Sequence, residues 1–554
     1  MSDDRFDRAR LDELAGRAEL REYEFASTAP GVGGFVARCR AAWNSVATKW
    51  QVRPMIEQQS AFNAALVEWL ARRQMGQGTA GERDPSIERV AHDRAVTALN
   101  RDTAAVGAWA ARLGDEAGSS LSQRARGRDE AAGSSLSLAL SQRARGGDEA
   151  AGSPLSLTLS QRARGRGEAR RLRLAYFSPL PPARSGIADY SAELLPALAE
   201  RADVTLFSDE TVAPDGLPRR PLEAFPAERW AFDRPLYQMG NSAHHADIYR
   251  MLRRFPGVTV LHDFHLHHLL AHLTLGAGRF ADYAREMEYA LGGEAAPLLR
   301  DIRSGRAANP LYQVALNERL LDSSLGLIVH SQTVANWIHA ARPAARVAVI
   351  PHLVVPRPAR SRRAELGLPP EAVLIAVVGQ VTAAKQLPLA LRAFRRLLAF
   401  VPEARFLIVG EVLPEVDLDG TLRELGLGER VICLDYVESF DAFVDWAATA
   451  DVVLNLRYPT LGETSGAALR VMAAGRPLVV FDHGWYGELP DEAAVKVPPL
   501  DEEALLVALL ELARDPARRA ALGAAAADTV AAQCAPAAVA DAYVQFISAL
   551  EPAA

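Results

Sequence analysis

AVLIAVVGQVTAAKQLPLALRAFRRLLAFVPEARFLIVG, residues 372–410, reads as a strand, a helix and a second strand. AVLIAVVG from Ala372 is an apolar run of strand length ending in glycine, and RFLIVG from Arg405 repeats that form. Between them LPLALRAFRRLLAF from Leu387 has helix length and ordinary helix propensity. Working outward, the same order recurs. Buried-strand runs start at Leu172, Val204, Val258, Leu325 and Val347 on one side, and at Val431, Asp451 and Pro477 on the other. Strand, helix, strand in repetition is the signature of parallel sheets covered by helices on both faces. The runs divide at the Pro- and Arg-rich stretch 356–361, which predicts two doubly wound α/β domains, 171–360 and 361–554, facing a cleft.

Upstream the character changes. SQRARG begins at Ser122, Ser141 and Ser160, within Gly-, Ser- and Arg-rich units that can bury little, so 115–170 reads as a flexible linker. A stacked solenoid or an amphipathic helix is the alternative. Residues 1–114 read as a helical module, with Met55, Phe62, Leu66 and Trp69 at helical steps. Within it, 31–53 mixes Phe35, Trp43 and Trp50 with Arg38, Arg40 and Lys49, a pattern for helix packing or for peripheral contact with a membrane.

The 554 residues are 49% hydrophobic and 23% charged, enough to build large cores. A net charge of -6 offers no general attraction to nucleic acid. Three scattered cysteines, Cys39, Cys433 and Cys534, suit a reducing compartment. The charged start MSDDRFDRAR is not expected to be a secretory signal, and no uninterrupted apolar run is expected to span a membrane.

Several residues stand where doubly wound folds bind ligands, past the carboxyl ends of strands. Ser185 and Gly186 open a helix after the first strand, and Thr464 and Ser465 open another within GETSGAALRVMAAG, where free amides suit phosphate oxygens and also suit ordinary capping. VTVLHDFHLHHLLAH concentrates His262, Asp263, His265, His267, His268 and His272. Taken alone, His268, His272 and Asp263 have zinc spacing, whereas core histidines serve equally well. Asn241 reads as a cleft residue or a turn residue.

The ordered set SPLPPARSGIADYS, YQMGNSAHH, VLHDFHLHH, IVHSQ, VIPH, VVGQVTAAKQ, GETSGAALRVMAAGRP and HGWYGELP resembles the retaining GT-B glycosyltransferases of family 4, bacterial polysaccharide and lipopolysaccharide members above all. The resemblance implies two Rossmann-like domains, the second holding a nucleotide-sugar and the first receiving a glycan or lipid-linked acceptor. It implies no metal or other cofactor, and the cysteine usage, the charged start and the 31–53 stretch fit a cytoplasmic enzyme peripheral at the inner membrane face. By it Lys385 contacts the donor diphosphate, with Gly379 and Gln380 beside it, although many relatives carry arginine where Gln380 stands. Thr464, Ser465 and Gly466 would hold phosphate. Arg470 falls where relatives carry a ribose-binding glutamate, and Glu463 lies one step from the usual sugar-contacting glutamate. His262 would sit beside the transferred sugar, and Glu488 would meet its hydroxyls. Two other classes share this form, a nucleotide-sugar epimerase and a non-catalytic scaffold of polysaccharide assembly.

Overall fold

The computed structural model describes residues 171–209, 216–369, 371–437 and 439–550. The expected helical module, repeat linker and membrane-contact stretch 31–53 lie outside the described residues. Residues 172–550 belong to one compact unit.

That unit is built on two parallel sheets. The first contains β1 (Leu172–Phe177), β2 (Ala202–Phe207), β3 (Arg219–Arg220), β4 (Arg234–Met239), β5 (Val258–Leu261), β6 (Gly326–Val329) and β7 (Val347–Val349), in the order β3-β2-β1-β4-β5-β6-β7. The second contains β8 (Leu374–Val378), β9 (Arg405–Val409), β10 (Val431–Leu434), β11 (Val452–Leu454), β12 (Leu478–Phe481) and β13 (Val495–Val497), in the order β10-β9-β8-β11-β12-β13. In each sheet the winding reverses beside the first strand, between β1 and β4 and between β8 and β11. The crevice outside such a reversal is where these folds take ligands. The two-domain α/β architecture is therefore present as expected.

The helices used below are α1 (Gly186–Ala199), α2 (His267–Thr274), α3 (Gln332–Ala341), α4 (Leu387–Leu397), α5 (Phe440–Thr449), α6 (Gly466–Ala473), α7 (Pro516–Gln533) and α8 (Pro536–Ala549). Strand β8, and β9 after Arg405, are apolar because both faces are covered: Ile375 and Val377 meet the cluster under α4, and Leu374, Ala376 and Val378 meet the opposite one. Strand β13 escapes the sequence reading because Lys496 interrupts a run of only three residues.

The chain end corrects the predicted boundary. Residues 361–554 were expected to stay with the second domain, but α8 returns to the first, burying Val539, Ala540, Tyr543 and Ile547 against β1, β4 and α1. Tyr543 and Tyr190 share a hydrogen bond of 2.6 Å between their hydroxyls. Full burial of Val539 and Ile547 contributes about 1.5–3 kcal/mol each, enough to fasten the helix to the first lobe. Pro516–Ala549 is long and apolar enough to cross a membrane by composition, yet it is two helices broken at Cys534, one packed on each lobe.

Candidate functional site

The second lobe supplies the floor. Strand β8 ends at Gly379, with φ +83°, whose amide donates to Val409 O at 2.8 Å. At Gly410, the exit of β9, φ is +124° and an added Cβ would lie 2.7 Å from Gly379 O, so only glycine permits these two exits to pass. The chain then turns back and buries Lys385. Its Nζ donates to Val378 O at 2.6 Å and lies 3.1 Å from where a Cβ on Gly379 would stand. The same Gly379 position faces Ala467, in the first turn of α6, at 3.7 Å. Ser465 caps α6 by accepting from Ala468 N at 3.2 Å, and Asn455, held by Tyr486, donates to the same hydroxyl at 3.3 Å. The first-turn amides of Gly466 and Ala467 precede any carbonyl their own helix could offer. Thr464 sits half-buried just ahead of them. Thus Gly379, Lys385, Thr464, Ser465 and Gly466 are brought together, and a cation, a glycine turn and a helix dipole converge at the β8/β11 reversal.

Burial, then the neighbouring Arg457, lowers the Lys385 pKa to about 7. An unfolded lysine holds its proton to a much higher pH. Between about 7 and the unfolded value the native state therefore binds fewer protons, and the Lys385 contribution to stability rises with pH.

The opposite wall brings Asp263 toward Glu463. Glu463 accepts from Leu461 N at 2.6 Å and Thr460 Oγ1 at 3.2 Å, while its other oxygen lies 2.8 Å from Arg457 Nε. Burial and then Glu463 push the Asp263 pKa up to about 6, with Asn241 N, donating at 2.8 Å, opposing the shift. The lobes touch here: His265 N donates to Leu461 O at 3.0 Å.

His262 is buried with Nε2 2.7 Å from Gln238 Oε1 and stacks edge-on against Tyr190. His330 and His352 complete a buried cluster, their Nδ1 atoms donating to Ile350 O and Leu353 O at 2.8 Å each. Burial first, and then the neighbouring histidines for His262 and His352, keeps these imidazoles neutral, His330 down to about 4. Neutral rings can exchange hydrogen bonds with sugar hydroxyls without adding charge. His267 is spent on Val314 O and Tyr283, and His268 on Asn241. Asn241 Oδ1 in turn accepts from Leu269 N in α2, so this residue ties that helix down. The described residues bring together no group of three or more His, Cys, Asp or Glu able to hold a metal ion.

Four expected donor contacts have other partners. Gln380 is exposed and donates to Glu411 at 3.1 Å. Ser185 caps α1, accepting from Ile187 N at 3.3 Å, and Gly186 beside it faces open space. Arg470 reaches across to α1 instead of toward a ribose: it donates to Glu193 and to Gly466 O at 3.0 Å each and stacks over Phe440 of α5. A buried carboxylate within reach of a long cation decides this, because an unpaired buried charge costs several kcal/mol. Glu488 also crosses the cleft, where it accepts from Gln332 N at 2.9 Å and Thr333 N at 2.6 Å, the first amides of α3. With Ser331 serving Val334 N, three amides of that helix start are satisfied. Glu488→Gln is expected to lower stability by about 1 kcal/mol through the weakened cap, measured by denaturant melts.

Arg457, Glu193, Gln238, His330 and His352 belong to this region and carry no assigned role in the sequence reading. Arg457, His330 and His352 each lie just past a strand's carboxyl end, which is the signal available. Glu193 and Gln238 sit inside elements and give none.

Residues 372–515 match a family model described as Glycosyl transferases group 1. A sucrose-phosphate synthase from Thermosynechococcus elongatus superposes with TM-score 0.51 at 20% identity, covering 69% of this chain and 99% of that one. The Anabaena protein HepE, solved with UDP-glucose, superposes with TM-score 0.50 at 14% identity, covering 68% of this chain and 100% of that one. No curated protein sequence matches the chain. The fold is that of the GT-B glycosyltransferases.

Proposed function

We propose that the chain is a retaining glycosyltransferase, moving a sugar from a nucleotide-sugar donor to a glycan or lipid-linked acceptor in cell-surface polysaccharide biosynthesis. In this reading it works in the cytoplasm, at the inner membrane face, without a metal or other cofactor. The observation that carries the reading is the meeting of buried Lys385, the Gly379 turn and the α6 start in one crevice. The group 1 match over the second lobe and the UDP-glucose held by HepE support a nucleotide-sugar there.

In the transfer, the bond between the sugar's anomeric carbon and the diphosphate oxygen breaks while the acceptor oxygen bonds to that carbon from the same face. The acceptor proton passes to the leaving phosphate. Negative charge grows on the diphosphate, so Lys385 and the α6 amides bind the transition state more tightly than the ground state. Glu463 has one oxygen held by Leu461 N and Thr460 Oγ1 and the other beside the Arg457 guanidinium, which suits orienting a sugar hydroxyl better than nucleophilic attack. His262 orients the sugar from the other side.

A lysine with a pKa near 7 takes up a proton when an anion binds beside it. Observed affinity for a nucleotide-sugar is therefore expected to fall above pH 7, by up to about tenfold per pH unit. Ionisation of Asp263 near pH 6 acts in the same direction. Calorimetry in buffers of different ionisation heat checks the uptake, and a flat profile across pH 6–9 contradicts it.

Melting a panel of nucleotide-sugars with the protein identifies the donor, since a ligand of the native state raises its melting point. Product analysis then separates the classes. Anomeric retention in a transferred sugar supports the proposal, donor isomerisation alone supports an epimerase, and binding without turnover supports a scaffold.

A further inference from the structure

Arg457 stands three residues past β11, on a segment strapped to the Lys385 turn. Tyr458 N donates to Ala384 O at 2.8 Å, and Gln386 Nε2 donates to Tyr458 O at 2.8 Å. The strap places a second cation beside Lys385, where its charge helps to depress the lysine's proton affinity. The arginine is mostly buried, yet its partnership with Glu463 is imperfect. Nε and Oε1 are 2.8 Å apart but misaligned, and both count as buried atoms without a hydrogen bond. Glu463 is also shared, since it faces Asp263 and accepts from Leu461 N and Thr460. Asp263 is a second carboxylate acting on Arg457, so net charge alone does not call for an anion; the unpartnered guanidinium Nε beside Lys385 and the α6 start does. Gln380, turned to Glu411, brings no charge to this crevice.

We propose that Arg457 is a second diphosphate-binding cation of the donor site, exchanging part of its contact with Glu463 for phosphate oxygens when a nucleoside diphosphate enters. This rests on the donor-site reading above. The guanidinium fork suits a pyrophosphate because it offers parallel donors to neighbouring oxygens. Glu463 is then both sugar ligand and partner of the arginine, so phosphate arrival and sugar orientation are coupled through one carboxylate.

The test uses the full chain and calorimetry with UDP, GDP and ADP, their nucleosides, and inorganic pyrophosphate. Arg457→Met is expected to weaken the bound diphosphate by about ten- to hundredfold while the matching nucleoside keeps its affinity. Arg457→Lys falls between, having charge without the fork. Glu463→Gln tightens pyrophosphate, because it removes the competing carboxylate. Should Arg457→Met fail to fold, the last two variants decide the matter. An unchanged ratio of diphosphate to nucleoside affinity in Arg457→Met overturns the proposal, even if its melting point falls, since that is the mark of a purely structural partner of Glu463. If Lys385→Met loses diphosphate and Arg457→Met does not, the donor site stands and the role of Arg457 falls. A wild-type chain that binds none of these probes overturns both.

Discussion

Lys385→Met is expected to lower kcat by about a hundred- to thousandfold, the usual loss when one preorganised donor to a developing oxyanion is removed. It should also weaken binding of any nucleotide-sugar. The reason is position. Nζ is held by Val378 O, beside a glycine that keeps side-chain bulk away, and it faces the start of α6. Water is largely excluded there, so the charge acts in a medium where it is worth more than on the surface. Stability should move the other way or hardly at all. Burial of the ammonium opposes folding, as its depressed pKa records, and methionine fills a similar volume without that cost. One carbonyl, Val378 O, loses a donor, a penalty of about 1–3 kcal/mol that the relieved desolvation offsets. Lost turnover with a preserved melting point is the signature to look for. Intact affinity and turnover in this variant place the donor elsewhere.

Gly462→Ala is expected to destabilise the protein by about 2–5 kcal/mol, combining the cost of a left-handed backbone with overpacking. Gly462 has φ +82°, and an added Cβ would lie 2.5 Å from Phe264 Cβ and 3.0 Å from the Trp337 ring. Both partners belong to the first lobe. The cheapest relief is to part the loops, which breaks the bond from His265 N to Leu461 O and displaces Glu463. Turnover should therefore fall with stability. Phe264→Gly in the Gly462→Ala background removes the clashing Cβ and tests the steric cause: the pair should recover part of the loss, and additive losses count against close contact at this point.

The two mutations mark different kinds of legibility. Lys385 could be found from sequence because a short loop after a buried strand at the winding reversal has few places to go, and a lysine there is near the crevice whatever the details. Ser465 follows the same logic, being the last polar residue before a helical run. The unexpected partners share another origin. Arg470 and Glu488 lie in segments rightly expected near the cleft, but each has a long side chain and a partner on the other lobe, at Glu193 and at the α3 amides. Nothing within a few residues of either records that partner. Gln380 is a smaller case of the same kind, since its neighbour Glu411 comes from the adjacent strand exit.

From the amino-acid order alone came the alternation of strand and helix, the division near 356–361 and the nearness of Gly379, Lys385 and Ser465 to the crevice at the β8/β11 reversal. All of these depend on chain neighbours: apolar run length, turn residues and helix starts are local quantities. The return of α8 to the first lobe, the neutral cluster of His262, His330 and His352, and the pairing of Arg470 with Glu193 were decided by the folded structure. Burial and charge proximity belong to groups dozens to hundreds of residues apart, and they acquire values only once both sheets have closed around the same crevice.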